Sequence, residues 1–208
     1  LKRLQHSLDG IRLANPHSDA EWTALITELI TRNQGEDQYL YLHITRGVAR
    51  RDHAFPQPPV TPTVFMMSSP LTTPPAELLA SGVSAVTAVD NRWLHCDIKA
   101  ISLLPNVLLR QQAVDAGCAE AILIRDNSFM TEGSASNIFV VKNGTLLAPP
   151  KDNLMLPGIT YDVVLELAAA NGIPHEVRRV GVAEVFAADE LLLTSSTKEV
   201  LPITQLDG

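Results

Sequence analysis

Apolar positions in the first thirty residues follow helical spacing. Leu1, Leu4, Leu8, Ile11 and Leu13 keep an approximate three-to-four-residue rhythm. Asn15-Pro16 then stops it, because proline has no amide proton and restricts the residue before it. Ser18 with Glu21 forms a capping-box signature, and behind it Trp22, Leu25, Ile26, Leu29 and Ile30 fall at i, i+3, i+4, i+7 and i+8. That spacing predicts a helix of about four turns with one apolar stripe. Residues 38–45 (QYLYLHIT) and 61–67 (TPTVFMM) read as strands from their aromatic and β-branched content. Between them, residues 46–59 carry Arg46, Arg50 and Arg51 with Pro56, Pro58 and Pro59. This stretch is too polar for a core and too rigid for a floppy linker, which makes it a candidate functional loop.

The proline-marked run 69–75 (SPLTTPP) punctuates the chain. It predicts a first domain over 1–70, a linker over 71–76 and a second domain over 77–208. Beyond it, strand-like and helix-like patterns alternate. Residues 82–89, 120–125 and 138–141 read as strands and 104–116 as a helix; Asn143-Gly144 marks a tight turn. A helix over 159–170 closes at Asn171-Gly172, and 191–193 reads as a last buried strand before a polar turn. The mix predicts an α+β or α/β fold without internal repeats.

Composition narrows the function classes. The chain has 208 residues, 46% of them apolar and 19% charged, enough for a real core and unlike a disordered chain. A net charge of -7 and no basic patch disfavour polyanions, so nucleic acid is not expected as a partner. No apolar run approaches the roughly 18 residues that span a bilayer, and the opening segment is polar, so no membrane partner is expected. Cys96 and Cys118 belong to no CxxC or Cys/His cluster. No metal site is predicted, and a reducing cytoplasm is the default compartment. Small molecules become the favoured partners.

Lysine is scarce, with five against eleven arginines. Lys99 stands out because Ile98, Ala100, Ile101, Leu103 and Leu104 surround it in sequence; desolvation there would lower its pKa, as a Schiff-base nucleophile requires. The competing reading is a lysine that snorkels to the surface. Glu132, in Thr131-Glu132-Gly133-Ser134-Ala135-Ser136-Asn137, could accept a hydrogen bond from a protonated ring nitrogen, or could sit in an ordinary turn. Ser195 and Ser196, in a four-hydroxyl turn, and Ile159 and Thr160, opening a helix behind Gly158, offer two anion cradles or plain turn and helix-start chemistry. Arg46, Arg50, Arg51 and His53 could clamp a carboxylate or form a solvated basic loop. A desolvated lysine, an acid for a ring nitrogen, phosphate cradles and a carboxylate clamp are together the parts of a pyridoxal-phosphate enzyme acting on amino acids.

The segments LKRLQHSL, ITRGVARRDHAFP, NRWLHCDIKAISLLPN, GCAEAILIRDN, TEGSASNIF, LPGIT and LLLTSSTKEVLPI resemble, in order and spacing, the fold-type IV pyridoxal-phosphate aminotransferases. Within that family they resemble the D-amino acid branch most. The resemblance implies two domains: a small N-terminal α/β domain and a larger C-terminal α/β domain with a β-barrel-like sheet. It implies pyridoxal 5'-phosphate as cofactor, bound covalently at Lys99, which also acts as general acid and base. Glu132 would pair with the pyridine nitrogen. Arg3, Ile159, Thr160, Ser195 and Ser196 would bind the phosphate, and Arg92 would lie close to the cofactor. Arg51 and His53 match the Arg-x-His pair that takes the substrate α-carboxylate, reaching into a neighbouring subunit; a homodimer with shared active sites is implied.

The expected reaction is transfer of the amino group of a D-amino acid, of the D-alanine type, to a 2-oxo acid such as 2-oxoglutarate. Transamination of branched-chain L-amino acids or of (R)-amines, and an aminodeoxychorismate lyase on the same scaffold, are the alternatives. His95, Pro105 and Tyr161 depart from residues frequent in the family. Members of the family also carry a further stretch before the position of Leu1 and a short tail after Gly208, so the first domain is expected to be incomplete.

Overall fold

A computed structural model describes residues 1–208, which divide into two compact units, Leu1–Thr72 and Thr73–Gly208. The first unit opens with α1 (Lys2–Gly10) and α2 (Asp19–Arg32). The Ser18 hydroxyl accepts from the Glu21 amide and Glu21 reaches back to the Ser18 amide, so the capping box that sets the start of α2 is formed. Trp22 is completely buried with Leu8 and Leu13 also in the core, and its indole N–H donates to Asn15 Oδ1 at 2.9 Å. Two antiparallel strands follow, β1 (Gln38–Thr45) and β2 (Thr63–Pro70). β2 begins two residues later than the pattern suggested and runs on to Pro70. Pro62 cannot join the ladder as a donor, and Ser68 inside the run bonds Gln38 of β1.

The second unit contains α3 (Ala76–Ser81), β3 (Val83–Val89), α4 (Leu104–Asp115), β4 (Glu120–Arg125), β5 (Phe129–Gly133), β6 (Asn137–Lys142) and β7 (Thr145–Ala148). It continues with α5 (Ile159–Ala170), β8 (His175–Val177), β9 (Val180–Gly181), α6 (Val182–Phe186), β10 (Glu190–Ser195) and β11 (Glu199–Leu206). Its nine strands form one sheet in the order β8-β7-β6-β10-β11-β3-β4-β5-β9. β5 and β6 are joined by only three residues, yet β4, β3, β11 and β10 lie between them in that order. The four Cα steps from Gly133 to Asn137 span about 14 Å at most, so the sheet must curl until its two halves meet. The result is the barrel-like sheet that the family resemblance implies.

Alternation along the strands fills this curl. Ile122, Ile124, Met130, Ile138, Val140, Leu193, Leu201 and Ile203 point into the central core. Their neighbours point outward: Ala121 and Leu123 against Leu109 and Ala113 of α4, and Phe139 against Tyr161 and Ala168 of α5. The strand at 191–193 is not the last one, because β11 follows it and pairs with both β10 and β3. Pro202 hides β11 in the sequence; it sits in the ladder beside a register irregularity between Ile203 and Gln205. No helix is long and apolar enough to cross a membrane.

Candidate active site

Glu132 lies on β5 rather than in a turn and is buried. Its Oε1 accepts from Arg92 Nη1 at 2.5 Å and both oxygens lie 3.2 Å from the Leu156 amide; Oε2 accepts from Asn137 Nδ2 at 3.2 Å. Arg92 is itself clamped by Asp90, Nε to Oδ1 and Nη2 to Oδ2, both at 2.9 Å, and Nη2 also donates to the Leu154 carbonyl at 3.1 Å. The Thr131 hydroxyl donates to Asp90 Oδ2 at 2.7 Å, and Arg125 approaches that oxygen at 3.3 Å. Two carboxylates and two guanidiniums thus balance in one buried cluster.

The charges in this cluster hold one another. Burial pushes the Glu132 carboxyl up, to about 7, against the opposing pull of Arg92 and the Leu156 amide. Arg92 is shifted the other way from a base at risk: burial disfavours its charge, but Asp90 and Glu132 raise its pKa well above the ordinary value. Burial would also raise Asp90, and the bonds and charge of Arg92 overcome that and lower it. The guanidinium of Arg92, itself held charged, and two further donors oppose the rise at Glu132 and pull it toward the ionised form.

Asn137 is the meeting point of several segments. Its Nδ2 donates to Glu132 and, at 2.9 Å, to the Leu156 carbonyl. Its Oδ1 fills the space in which a Cβ on Gly158 would stand, so the start of α5 approaches β6 only because residue 158 lacks a side chain. The first turn of α5, with Ile159 exposed and Thr160 half-buried, has no side-chain cap. Thr194 of β10 pairs with Asn137, so the Ser195–Ser196 turn leaves the sheet at the same end. Ser195 Oγ accepts from the Lys198 amide at 3.2 Å, which closes that turn, and Ser196 is exposed.

Lys99 lies in the irregular segment 90–103 and is exposed, as are Ile101, Leu103 and Leu104 around it. Within this chain the apolar neighbours therefore do not enclose it, contrary to the sequence reading: the segment has no regular structure and these side chains point outward. Its ends are nonetheless tied to the elements beside Glu132. The Cys96 amide donates to the Asn153 carbonyl at 2.8 Å, and Asn106 Nδ2 to the Ser134 carbonyl at 2.9 Å. Burial pushes the Cys96 thiol up to about 11, which leaves it a poor nucleophile.

In the first unit, Arg3 lies on α1 and is half-buried, while Arg51 and His53 are exposed on the loop between β1 and β2. Asp52 Oδ1 accepts from the amides of His53 at 2.6 Å and Ala54 at 3.3 Å, which fixes the backbone between the pair. Arg46 fastens the loop. Its guanidinium donates to the carbonyls of Ile11 at 2.6 Å and Arg12 at 3.1 Å and stacks 3.8 Å over the Phe55 ring.

The departures also have places. Tyr161 is a core residue, stacked 4.9 Å from Phe139 with its hydroxyl donating to the Pro149 carbonyl at 2.7 Å. Pro105 occupies the first turn of α4, where a missing amide costs nothing, and His95 packs edge-on against Trp93.

The family model for amino-transferase class IV matches residues 1–206. The chain belongs to the class IV aminotransferases. It is therefore a transferase, and its family uses pyridoxal phosphate to move amino groups between amino acids and 2-oxo acids. It is 42% identical over 208 residues to a D-alanine aminotransferase of Bacillus licheniformis, covering all of this chain and 72% of that protein. A D-alanine aminotransferase of Staphylococcus epidermidis is 37% identical over 207 residues, 73% of its length. Among solved structures, the Escherichia coli branched-chain amino acid aminotransferase superposes with a TM-score of 0.89 at 26% identity, covering all of this chain and 70% of that one.

Sequence reasoning missed Asp90, Glu120, Asn137 and Thr131 as parts of the site. Asp90 had a signal, a carboxylate two residues before Arg92 at the end of an apolar strand. The others become visible only once the strand pairing and the link between β5 and β6 are known.

Proposed function

We propose that this aminotransferase transfers the amino group of D-amino acids, of the D-alanine type, to a 2-oxo acid such as 2-oxoglutarate, with pyridoxal 5'-phosphate as cofactor. One observation carries the reading: a buried carboxylate, Glu132, stands beside an uncapped helix start in a chain 42% identical to a D-alanine aminotransferase. The residues suit the cofactor. Glu132 matches a protonated ring nitrogen, and the free amides of Ile159 and Thr160 suit a phosphate. Thr194 Oγ1 is buried without a hydrogen-bond partner next to Ser195 and Ser196, a donor that an anion at this end of the sheet would satisfy. Arg3 adds a cation for the phosphate, on the strength of the family resemblance.

Pyridoxal phosphate, when bound, supplies an electron sink for negative charge at the substrate Cα. Around it, Glu132 would pair with the protonated ring nitrogen, and Arg92 would pull Glu132 toward its ionised form. Lys99 Nζ would hold the cofactor covalently and, once displaced by the substrate amine, would carry the proton from the substrate Cα to the cofactor carbon that receives the amino group. Arg51 and His53 bind the α-carboxylate, with Arg46 and Asp52 holding their loop. We assign the carboxylate clamp to the small domain (1–70), cofactor binding to the larger one (77–208), and the linker to 71–76.

The exposed apolar side chains that flank Lys99 in sequence, among them Trp93, Leu94, Ile101, Leu104 and Leu108, support a homodimer in which a second copy covers them and excludes water from the lysine. Both cysteines are free, which suits a reducing cytoplasm. The fold match to a branched-chain enzyme favours a second reading, transamination of branched-chain L-amino acids. Purified protein assayed with D-alanine, L-leucine and a prochiral amine against 2-oxoglutarate separates them. Turnover of D-alanine that falls sharply in Arg51→Ala is expected; activity on L-leucine alone contradicts the D-specific reading.

A further inference from the structure

Glu120 opens β4 and is fully buried. Its Oε1 accepts from the Ala121 amide at 2.8 Å, the Ser134 amide at 3.1 Å and the Ser134 hydroxyl, and its Oε2 accepts from the Ser136 hydroxyl at 2.8 Å. All four donors are neutral. A carboxylate in this setting is costly to desolvate, and hydrophobic residues would fill the same space with less penalty. What it holds is specific. Three of the four donors belong to residues 134–136, the short link on which the curl of the sheet depends. The link is folded down onto the carboxylate: the Gly133 amide donates to the Ser136 carbonyl at 2.8 Å. A Cβ on Gly133 would collide with Ser136 Oγ and meet Glu120 Cδ at 3.1 Å.

On either side of this link stand Glu132 and Asn137, bonded to each other at 3.2 Å. Asn137 also lies against Gly158 and holds the Leu156 carbonyl. A shift of the link therefore moves the carboxylate of Glu132 and the start of α5 together. The α4 side is tied to the same link, because Asn106 Nδ2 donates to the Ser134 carbonyl.

We infer that Glu120 is a positioning residue: it locks the 134–136 link and thereby sets Glu132 and the first turn of α5 at the separation that pyridoxal phosphate requires. The inference rests on the cofactor reading given above. It is tested in the full chain by titrating cofactor-free protein with pyridoxal 5'-phosphate, reading the dissociation constant and the absorption spectrum of the holoprotein, with thermal unfolding recorded in parallel. Glu120→Ala is expected to weaken cofactor binding about tenfold or more, the scale of hydrogen bonds to a charged group, and to alter the spectrum. Glu120→Gln, which keeps an acceptor and the side-chain shape, should restore most of the affinity. If Glu120→Ala does not fold, Ser136→Ala makes the same test with a smaller change, and a loss of affinity is again expected. A folded Glu120→Ala or Ser136→Ala protein with wild-type affinity and spectrum, whatever its melting temperature, overturns this inference alone. Wild-type protein that binds no pyridoxal phosphate overturns the cofactor reading together with it.

Discussion

Asp90 illustrates how much of this buried cluster depends on one carboxylate that acts through a neighbour. Its two oxygens grip Arg92, and Arg92 in turn grips Glu132, so a change at Asp90 reaches Glu132 through one guanidinium. The lowered pKa of Asp90 links this cluster to stability. Between its folded and unfolded values Asp90 binds fewer protons in the folded chain. Its contribution is thus complete above about 4, where an unfolded aspartate ionises, and is lost as pH falls through the lower folded value. Wild type and Asp90→Asn compared by denaturant unfolding across pH should therefore converge in acid and diverge toward neutrality, with the variant less stable by about 3–5 kcal/mol, the cost of breaking a buried ion pair. Equal stability at neutral pH would contradict the cluster as described. At this scale the sequence was uneven. The proposed roles of Lys99, Glu132 and the Arg51-x-His53 pair rest on local patterns and a family resemblance. The bonds of Glu120 to the link behind β5, and of Arg92 and Asn137 to Glu132, could not be read in that way, because they depend on strand pairing and on loop paths that hydrophobic patterning does not give.

The elements whose boundaries were legible carry their own punctuation. α2 starts where Ser18 and Glu21 form a capping box, and α5 runs from behind Gly158 to Asn171-Gly172, as its pattern suggested. The bounds of β2 were blurred by Pro62 and Pro70, and β11 was hidden by Pro202, since a proline normally argues against a strand. β5 was obscured by the small residues that follow it. Gly158 shows an element held by a missing side chain: Gly158→Ala would drive a methyl group into Asn137 Oδ1. Overpacking of this kind costs about 1–3 kcal/mol, and here it also pushes the first amides of α5 away from Glu132. The variant is expected to fold with a lower melting temperature and to bind pyridoxal phosphate at least several-fold more weakly. Unchanged cofactor affinity would show that the Asn137 contact does not set the position of α5.

At the scale of the whole molecule, the mixed α/β character and barrel-like sheet were foreseen, but strand order was not. Hydrophobic alternation tells which face of a strand is buried and nothing about which strand lies next to it. An open apolar face on α4 belongs to this scale too. Leu104, Val107 and Leu108 form one outward stripe of α4, each more than half exposed at 70%, 57% and 56%, a surface that a solitary chain rarely leaves uncovered. Sedimentation velocity is expected to give the mass of two chains for wild type, and Leu108→Lys is expected to shift the protein toward one. A wild-type protein that sediments as a single chain would remove the shared-site account.

The central claim, that this aminotransferase works on D-amino acids through Lys99, is tested most directly by the absorbance of the holoprotein before and after addition of D-alanine. The band of the lysine-bound pyridoxal form should fall and that of pyridoxamine phosphate rise. L-leucine should leave the spectrum unchanged, and Lys99→Ala should lack the starting band. Conversion by L-leucine but not by D-alanine, or a starting band that survives in Lys99→Ala, would contradict it.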